Sequence, residues 1–377
     1  MKILLINYEY PPIGGGASNA THNIGKALFK KGHEVFVLTS NFQKLKGLTI
    51  EDDIYVYRCL ALRKKAFQSN VIEMFSYVLS ASILIPKLIK KYKIDSLIVF
   101  FSFPCGPLGL LANLIGEIPY IISLRAGDVP YVEKSLNNFH KLLTPIRRII
   151  LKKSKAIVAN SLGLKKQAKQ ADPYFHFHVI TNAVDVNFFK PLNKENQKSI
   201  TKFMFAGRFT EQKNLFFLIK EINLLKTTVS KEFEVHIVGG GPLENVLKTY
   251  SHELNLEKTI FWHNWCDKAQ LRNYLQSSDC FLNPSLYEGM PNSILEAMAC
   301  GISVIASNVV GNDALVNHNE TGFLFDLNKT GDFQDALKKI LFNPDLSKRF
   351  GQNGRIIVEK YFSWERVADE YLRLITS

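Results

Sequence analysis

The feature that most constrains this 377-residue chain is an alternation of short apolar runs with helix-spaced segments, which halts at a polar stretch and then restarts. Residues 2–7 form an apolar run that stops at a Gly/Pro-rich turn. Residues 19–31 carry apolar side chains at helical spacing, with Gly32 placed as the stop, and residues 34–38 read as the next strand. Strands are expected again at 97–101, 120–124, 155–159 and 178–180, with a helix over 106–114. Strands joined by helices of about a dozen residues make βαβ units and hence a parallel sheet. The polar stretch PLNKENQKSIT at 191–201 breaks the pattern and is the expected domain boundary. Beyond it, strands at 203–206, 234–238, 259–262, 280–283 and 303–306 alternate with helices at 214–225, 243–253, 269–276 and 293–299. The expected class is α/β, with two Rossmann-like doubly wound domains at 1–190 and 191–360. Residues 361–377 form a closing amphipathic helix, centred on 364–374. Open parallel sheets bind ligands beyond the carboxyl ends of their strands, so the strand-to-helix loops are where chemistry is sought.

Composition narrows the class. The chain is 46% hydrophobic and 21% charged, the balance of a folded protein. Its five cysteines show no CxxC pair and no zinc-ligand spacing, as expected of reduced thiols in a cytosolic protein. The start MKILLINYEYPP lacks the basic and small-residue signature of a secretory signal. Two long apolar stretches, 71–89 and 94–124, are broken by charged, Pro and Gly residues, among them Glu73 and Pro86, and neither is expected to span a membrane. The protein is therefore expected to be cytoplasmic, soluble or peripheral at the inner face of the membrane.

The net charge of +13 is unevenly placed. Residues 1–190 hold 26 Lys+Arg against 12 Asp+Glu, whereas 191–377 hold 21 against 22. Runs at 63–65, 87–93 and 147–155 point the first domain at something anionic, either a membrane surface, a phosphorylated acceptor or nucleic acid. A merely solvated basic face is the competing reading. No nucleic-acid-binding module or basic-aromatic stripe accompanies the charge, so no nucleic acid is expected. Peripheral contact with anionic membrane is expected through 85–93 and 145–155.

Three loops carry candidate chemistry. Gly14, Gly15 and Gly16 follow the first strand, where their N–H groups and the next helix's start can cradle an anion, or merely form a turn. The G-x-G-x-x-G spacing is absent and the second strand ends in Thr39-Ser40 without an acidic residue, which argues against an NAD enzyme. Arg208 and Lys213, at the end of the second domain's first strand, suit a diphosphate, although two basic residues in one loop are common. In the third loop Glu288 leads through Gly289, Met290 and Pro291 into a helix, with Asn292 or Ser293 placed to cap it and Glu296 one turn inside. Two carboxylates beside a helix N-terminus can accept sugar hydroxyls around a bound phosphate. Incidental surface charge is the alternative.

The stretch EGMPNSILEAMACGISVIAS at 288–307 resembles the E-x7-E signature of the retaining, nucleotide-sugar-dependent glycosyltransferases of the GT-B fold (family 4, glycosyl transferases group 1). GGGAS, IVANS at 157–161, ITNAVDVNFF at 180–189, AGRFTEQKN at 206–214, IVGGGP at 237–242 and FSWERVADEY at 362–371 follow in the family's order. The resemblance implies two domains facing across a cleft. It also implies that Arg208 and Lys213 hold the donor diphosphate and that Glu296 binds the nucleotide ribose. Glu288 would contact the donor sugar, with the backbone of Gly289 to Asn292 nearby, and Arg208, Lys213 and Glu288 form the catalytic set. Gly15 and Gly16 would approach the donor phosphate, Gly14 would border the acceptor, and the base would sit near the loop after Trp262. Relatives often carry a His-Gly or His-Asp pair where this chain has SLRAGD. Arg125 stands at that position with Asp128 beyond it. Arg125 orients a sugar or an acceptor phosphate, or forms a structural pair with Asp128, and cannot act as a base. A second difference is WHN at 262–264, where relatives often have glycine.

No D-x-D motif follows a strand, so no metal and no cofactor is expected, and protein cations are expected to neutralise the leaving diphosphate. The expected function is transfer of a sugar, with retention, from a nucleotide-diphosphate sugar to a hydroxyl of a glycan or lipid-linked saccharide, in cell-surface polysaccharide or glycolipid synthesis. A non-catalytic nucleotide-sugar-binding partner, or an epimerase or phosphorylase on the same scaffold, are the alternatives.

Overall fold

The apolar run KILLI becomes β1 (Lys2–Ile6), and its Ile3, Leu4, Leu5 and Ile6 are wholly buried at the middle of a sheet. A strand buried on both faces reads as a continuous apolar run, which is how parallel sheets appear in sequence. In the computed structural model the described residues are 1–66, 69–125, 127–130, 137–192 and 200–377, with only the backbone of 137–140. They divide into two compact units: Met1–Asn182 with Trp364–Ser377, and Ala183–Ser363.

The first unit holds an eight-stranded sheet ordered β3-β4-β2-β1-β5-β6-β7-β8. Its other strands are β2 (Glu34–Ser40), β3 (Gly47–Glu51), β4 (Ile54–Cys59), β5 (Ser96–Phe100), β6 (Tyr120–Leu124), β7 (Ala156–Ala159) and β8 (His178–Val179). Only β3 runs antiparallel, folding back on β4 at the sheet edge. Helix α1 (Gly16–Lys30) links β1 to β2, while α2 (Val71–Tyr92), α3 (Gly106–Gly116) and α4 (Asn137–Lys153) serve the strands on the other side of β1. Right-handed crossovers in opposite directions put these two sets on opposite faces. Accordingly α3 packs against both α2 and α4.

Helix α2 departs from the sequence expectation. Glu73 does not interrupt it but starts it: Asn70 Oδ1 accepts the Glu73 N–H and Glu73 Oε2 accepts the Asn70 N–H, a reciprocal capping box. The helix also runs through Pro86. By length and composition it is long and apolar enough to cross a membrane, contrary to the expectation for 71–89, yet Tyr77, Ala81, Ile85 and Leu88 are buried in this unit.

The second unit is a six-stranded, all-parallel sheet ordered β11-β10-β9-β12-β13-β14. Its strands are β9 (Thr201–Arg208), β10 (Phe233–Gly240), β11 (Ile260–His263), β12 (Cys280–Asn283), β13 (Ser303–Ser307) and β14 (Gly322–Phe325). The helices are α6 (Leu215–Thr228), α7 (Glu244–Glu253), α8 (Lys268–Ser277), α9 (Asn292–Ala299), α10 (Asp332–Phe342) and α11 (Pro344–Tyr361); α5 (Leu162–Ala171) belongs to the first unit. The chain winds outward from β9 through β10 to β11, then crosses back to β12 on the other side of β9. The order therefore reverses between β9 and β12, and this crevice is the site such sheets offer a ligand.

Residues 193–199 of the polar stretch lie outside the described residues. The division into units falls at 182/183 because the following segment packs onto the second core. Val184 and Phe189 are buried there, and Arg355 of α11 donates to the carbonyls of Val186 (3.0 Å) and Phe189 (2.7 Å). The last helix, α12 (Trp364–Thr376), returns to the first unit, where it packs on α1 with Trp364, Val367, Ala368 and Tyr371 buried.

Candidate active site

Strand β9 ends in Gly207 and Arg208, which pair in register with Gly239 and Gly240 at the end of β10. A short 3-10 turn, Glu211–Lys213, follows, and Asn214 in the left-handed region (φ 55°) turns the chain into α6. This turn is stitched to the loop after β12: Gln212 donates to the Tyr287 carbonyl (2.9 Å), and the Leu286 N–H donates to the Gln212 carbonyl (2.8 Å). Two hydrogen bonds thus join the loops flanking the crevice. Lys213 Nζ donates to Glu288 Oε1, with the two side chains 15% and 7% exposed.

Glu288 is fixed from behind. Ser285 Oγ lies 2.8 Å from Glu288 Oε1 and 2.5 Å from Asn283 Oδ1, and Ser307 Oγ donates to the Ser285 carbonyl at 2.5 Å. Asn312 Nδ2 donates to the Ser307 carbonyl (3.0 Å) and reaches its hydroxyl at 3.1 Å. Asn283, Ser285, Ser307 and Asn312 are all essentially buried. A buried network with its members paired holds one geometry. Gly311 closes it: its φ is +94°, and a Cβ there would meet the Gly289 carbonyl oxygen at 2.7 Å. Ser285, Ser307, Gly311 and Asn312 were not singled out in the sequence. Only the position of Ser307 at a strand end, of Ser285 just after one, and the glycine in VVGNDA bear on them in the sequence.

The loop then runs through Gly289 and buried Met290 into α9. The cap expected at Asn292 or Ser293 is instead Pro291 (φ −76°, ψ 112°), and among the described residues no side chain caps the helix. Proline's fixed φ sets the chain's entry, and the positive end of the helix dipole is left facing the loop. Glu296, half-buried in the first turns of α9, has its carboxyl pushed up to about 7 by burial, with Lys268 opposing. Arg208, Lys213, Glu288, Gly289 to Asn292 and Glu296 are thereby gathered on the β9, β12 and α9 ends of one unit.

Beyond the end of β11, Trp262, His263, Asn264, Trp265, Cys266 and Tyr274 contribute to a pocket of about 440 Å³. His263 is hydrogen-bonded to Tyr274 Oη (3.1 Å) and His236 (3.0 Å); burial, then His236, lowers its pKa and so favours the neutral ring. Three aromatic residues, Trp262, Trp265 and Tyr274, are among the pocket's lining, whose accessible surface is mostly polar, so hydrogen-bonding groups are available to a heterocycle there.

The remaining candidates lie in the first unit. Gly15 and Gly16 begin α1, again without a side-chain cap among the described residues, and the Gly14 N–H donates to the Ala66 carbonyl at 2.8 Å. Gly14 sits at φ +90° with Glu9 folded over it, so that a Cβ would meet the Glu9 side chain at 2.6 Å. Arg125 is 8% exposed. Its guanidinium donates to Asn182 Oδ1 (2.5 Å) and lies 4.9 Å from the Phe100 ring centre, with Nε buried and unpartnered among the described residues. Burial lowers its pKa, and Tyr371 and Asp128 oppose the shift. The Asp128 carboxylate accepts the backbone N–H groups of Arg125 (2.7 Å) and Ser102 (2.5 Å), so it ties together the ends of β5 and β6.

Part of the basic excess is also internal. Arg63 is 8% exposed and reaches Glu9 at 3.4 Å, while Arg147, 4% exposed, pairs with Asp172 at 2.5 Å. These two do not serve the outward-facing basic surface that the runs at 63–65 and 147–155 suggest.

The family model described as Glycosyl transferases group 1 matches residues 186–356, and that of Glycosyltransferase Family 4 matches 14–188. The UDP-Gal:alpha-D-GlcNAc-diphosphoundecaprenol alpha-1,3-galactosyltransferase of Escherichia coli is 32% identical over 274 residues, which cover 67% of this chain and 68% of that protein. Among solved structures, the sucrose-phosphate synthase of Thermosynechococcus elongatus superposes with a TM-score of 0.85 at 20% identity, covering 99% of this chain and 98% of the other. Anabaena HepE in complex with UDP and glucose gives 0.78 at 18% identity, covering 100% and 99%.

Proposed function

The chain belongs to the glycosyl transferases group 1 family and is a glycosyltransferase of the GT-B fold, and on that premise we propose metal-independent transfer with retention, from a nucleotide-diphosphate sugar held on the second unit to a hydroxyl of a glycan or lipid-linked saccharide. The observation that carries this reading is the contact of Lys213 with Glu288 where the sheet order reverses, beside the uncapped start of α9.

Glycosyl transfer breaks the bond between the anomeric carbon and the phosphate oxygen. Positive charge develops on the carbon as the diphosphate leaves with an added negative charge. Lys213, Arg208 and the α9 dipole offer fixed positive charge to that diphosphate, and stabilising charge where it develops is the largest lever an active site has. Glu288, held by Lys213 and Ser285, presents acceptor oxygens to sugar hydroxyls. Glu296 does the same for the ribose, and the pocket beyond β11 takes the base. In this reading none of the described residues of the cluster acts as a dedicated base for the acceptor. In the retaining reading the acceptor's hydroxyl oxygen bonds to the anomeric carbon on the face the diphosphate leaves, and the departing phosphate oxygen takes the hydroxyl's proton. The Escherichia coli relative is named for a UDP-Gal donor and a diphosphoundecaprenol-linked acceptor, and HepE was solved with UDP, which supports a UDP-sugar and a lipid-linked saccharide here.

The test is product stereochemistry under chelation. Purified protein is incubated with UDP-, GDP- or ADP-sugars and candidate acceptors in EDTA, and the new linkage is read by NMR. The expected product keeps the donor's anomeric configuration at an unchanged rate. An inverted linkage, or activity lost to EDTA and restored by magnesium, contradicts the proposal.

A further inference from the structure

Helix α2 is apolar on two opposite faces. Tyr77, Ala81, Ile85 and Leu88 are buried in the first unit. Half a turn away, Ile72, Phe75, Leu79 and Ile83 recur at steps of three and four residues and are 71%, 61%, 54% and 68% exposed. A surface helix ordinarily turns polar side chains outward there. At 1.5 Å per residue the outward stripe runs for about 16 Å. It does not end in acidic or neutral residues: Lys87 and Lys90 continue the same line toward the C-terminal end, both exposed. Only 28% of the most apolar part of the helix is buried, whereas a core helix of this composition is mostly buried. On the same face of the sheet, α4 exposes Leu142 (76%) and Ile149 (53%) ahead of its own terminal Lys152 and Lys153.

We infer that the outward face of α2 is a docking surface for an anionic phospholipid bilayer, with the helix lying in the plane of the interface. The apolar stripe enters the boundary of the acyl chains while Lys87 and Lys90 reach headgroup phosphates. Charge decides between occupants. A second copy packed antiparallel would set these lysines against the apolar Ile72, Phe75 and Leu79, which offer no counter-charge, whereas an anionic surface meets the ammonium groups with opposite charge. Spanning the bilayer is disfavoured because Tyr77, Ala81, Ile85 and Leu88 would have to leave the core they fill. The inference goes beyond the transfer reaction and stands independently of it. It also relocates the contact foreseen in the sequence: apolar side chains at 72–83 lead, and the lysines within 85–93 assist.

The experiment is co-sedimentation of the full chain with vesicles of phosphatidylcholine containing phosphatidylglycerol, against vesicles of phosphatidylcholine alone. The wild type is expected to sediment with the anionic vesicles. Phe75→Glu with Leu79→Glu should weaken binding at least about tenfold, since the change places charge on the inserted stripe. Lys87→Glu with Lys90→Glu should remove most of the salt-sensitive part. These sites are exposed, and unchanged melting temperatures will show that the variants fold. Independently, Phe75→Trp should show a blue shift with vesicles and quenching by lipids brominated on their acyl chains. Failure of the wild type to bind at low salt, or a tryptophan that stays water-exposed in the bound protein, overturns the inference. So does a wild-type dimer in light scattering that the glutamate variant converts to monomer while vesicle binding is unchanged; the face would then be a self-interface.

Discussion

At the scale of single residues, Glu296 shows what its position costs. Burial raises its carboxyl from the ordinary 4.5 to about 7. The folded state therefore holds a proton that the unfolded chain releases between those values. The stability tied to the protonated form is fully present below about 4.5 and is lost as the pH rises through about 7. Glu296→Gln imitates the protonated carboxyl. The ligand-free variant should melt at the wild-type temperature near pH 4.5 and some degrees higher than wild type at pH 8, read by circular dichroism. A difference that is the same at both pH values would show that the carboxyl is not perturbed. The wild type retains a carboxylate that the fold alone does not favour, which is expected of a group whose partner is a ligand. The E-x7-E spacing made both glutamates legible in the sequence. The residues behind Glu288 were not, because Ser285, Ser307 and Asn312 come from three separate loops or strand ends and are common types. Their meaning lies in the hydrogen bonds that folding creates.

At the scale of elements, alternation with a restart was enough to read two parallel sheets, since buried central strands such as β1 and β12 are short unbroken apolar runs. The edges were less legible. Strands β3 and β4 were passed over although both alternate: β4 buries Ile54, Val56 and Arg58 between half-buried Tyr55 and Tyr57, while β3 turns its apolar Leu48 and Ile50 outward at the sheet edge. Strand β14 and helices α10 and α11 lie between the E-x7-E motif and FSWERVADEY at 362–371, where no motif marks them. Helix α12 was legible as an amphipathic helix, but what it packs on was not, because only the fold brings Tyr371 Oη to 2.7 Å from Ser123 Oγ on β6. If α12 is an integral part of the first unit, Tyr371→Phe should cost about 1 kcal/mol there through the lost buried hydrogen bond. Amide exchange should then quicken at 120–124 on β6 and stay unchanged on β9. Equal acceleration in both units, or none in either, would contradict that assignment.

At the scale of the whole molecule, the chemistry gathers on one unit and the outward apolar stripe on the other, each set by that unit's own winding. The second sheet reverses its order between β9 and β12, and the loops at that point place two cations, two carboxylates and a helix N-terminus together. In the proposed reaction these groups hold a nucleoside diphosphate. Calorimetric titration of UDP, GDP and ADP into the metal-free protein tests it most directly, repeated with Lys213→Ala and with Lys213→Ala combined with Arg208→Ala. One diphosphate should bind the wild type, the single change should weaken it about tenfold to a hundredfold, and the double change should abolish it while the fold is kept. Unaltered affinity in the double variant, or no binding by the wild type, would show that these groups are not the diphosphate site.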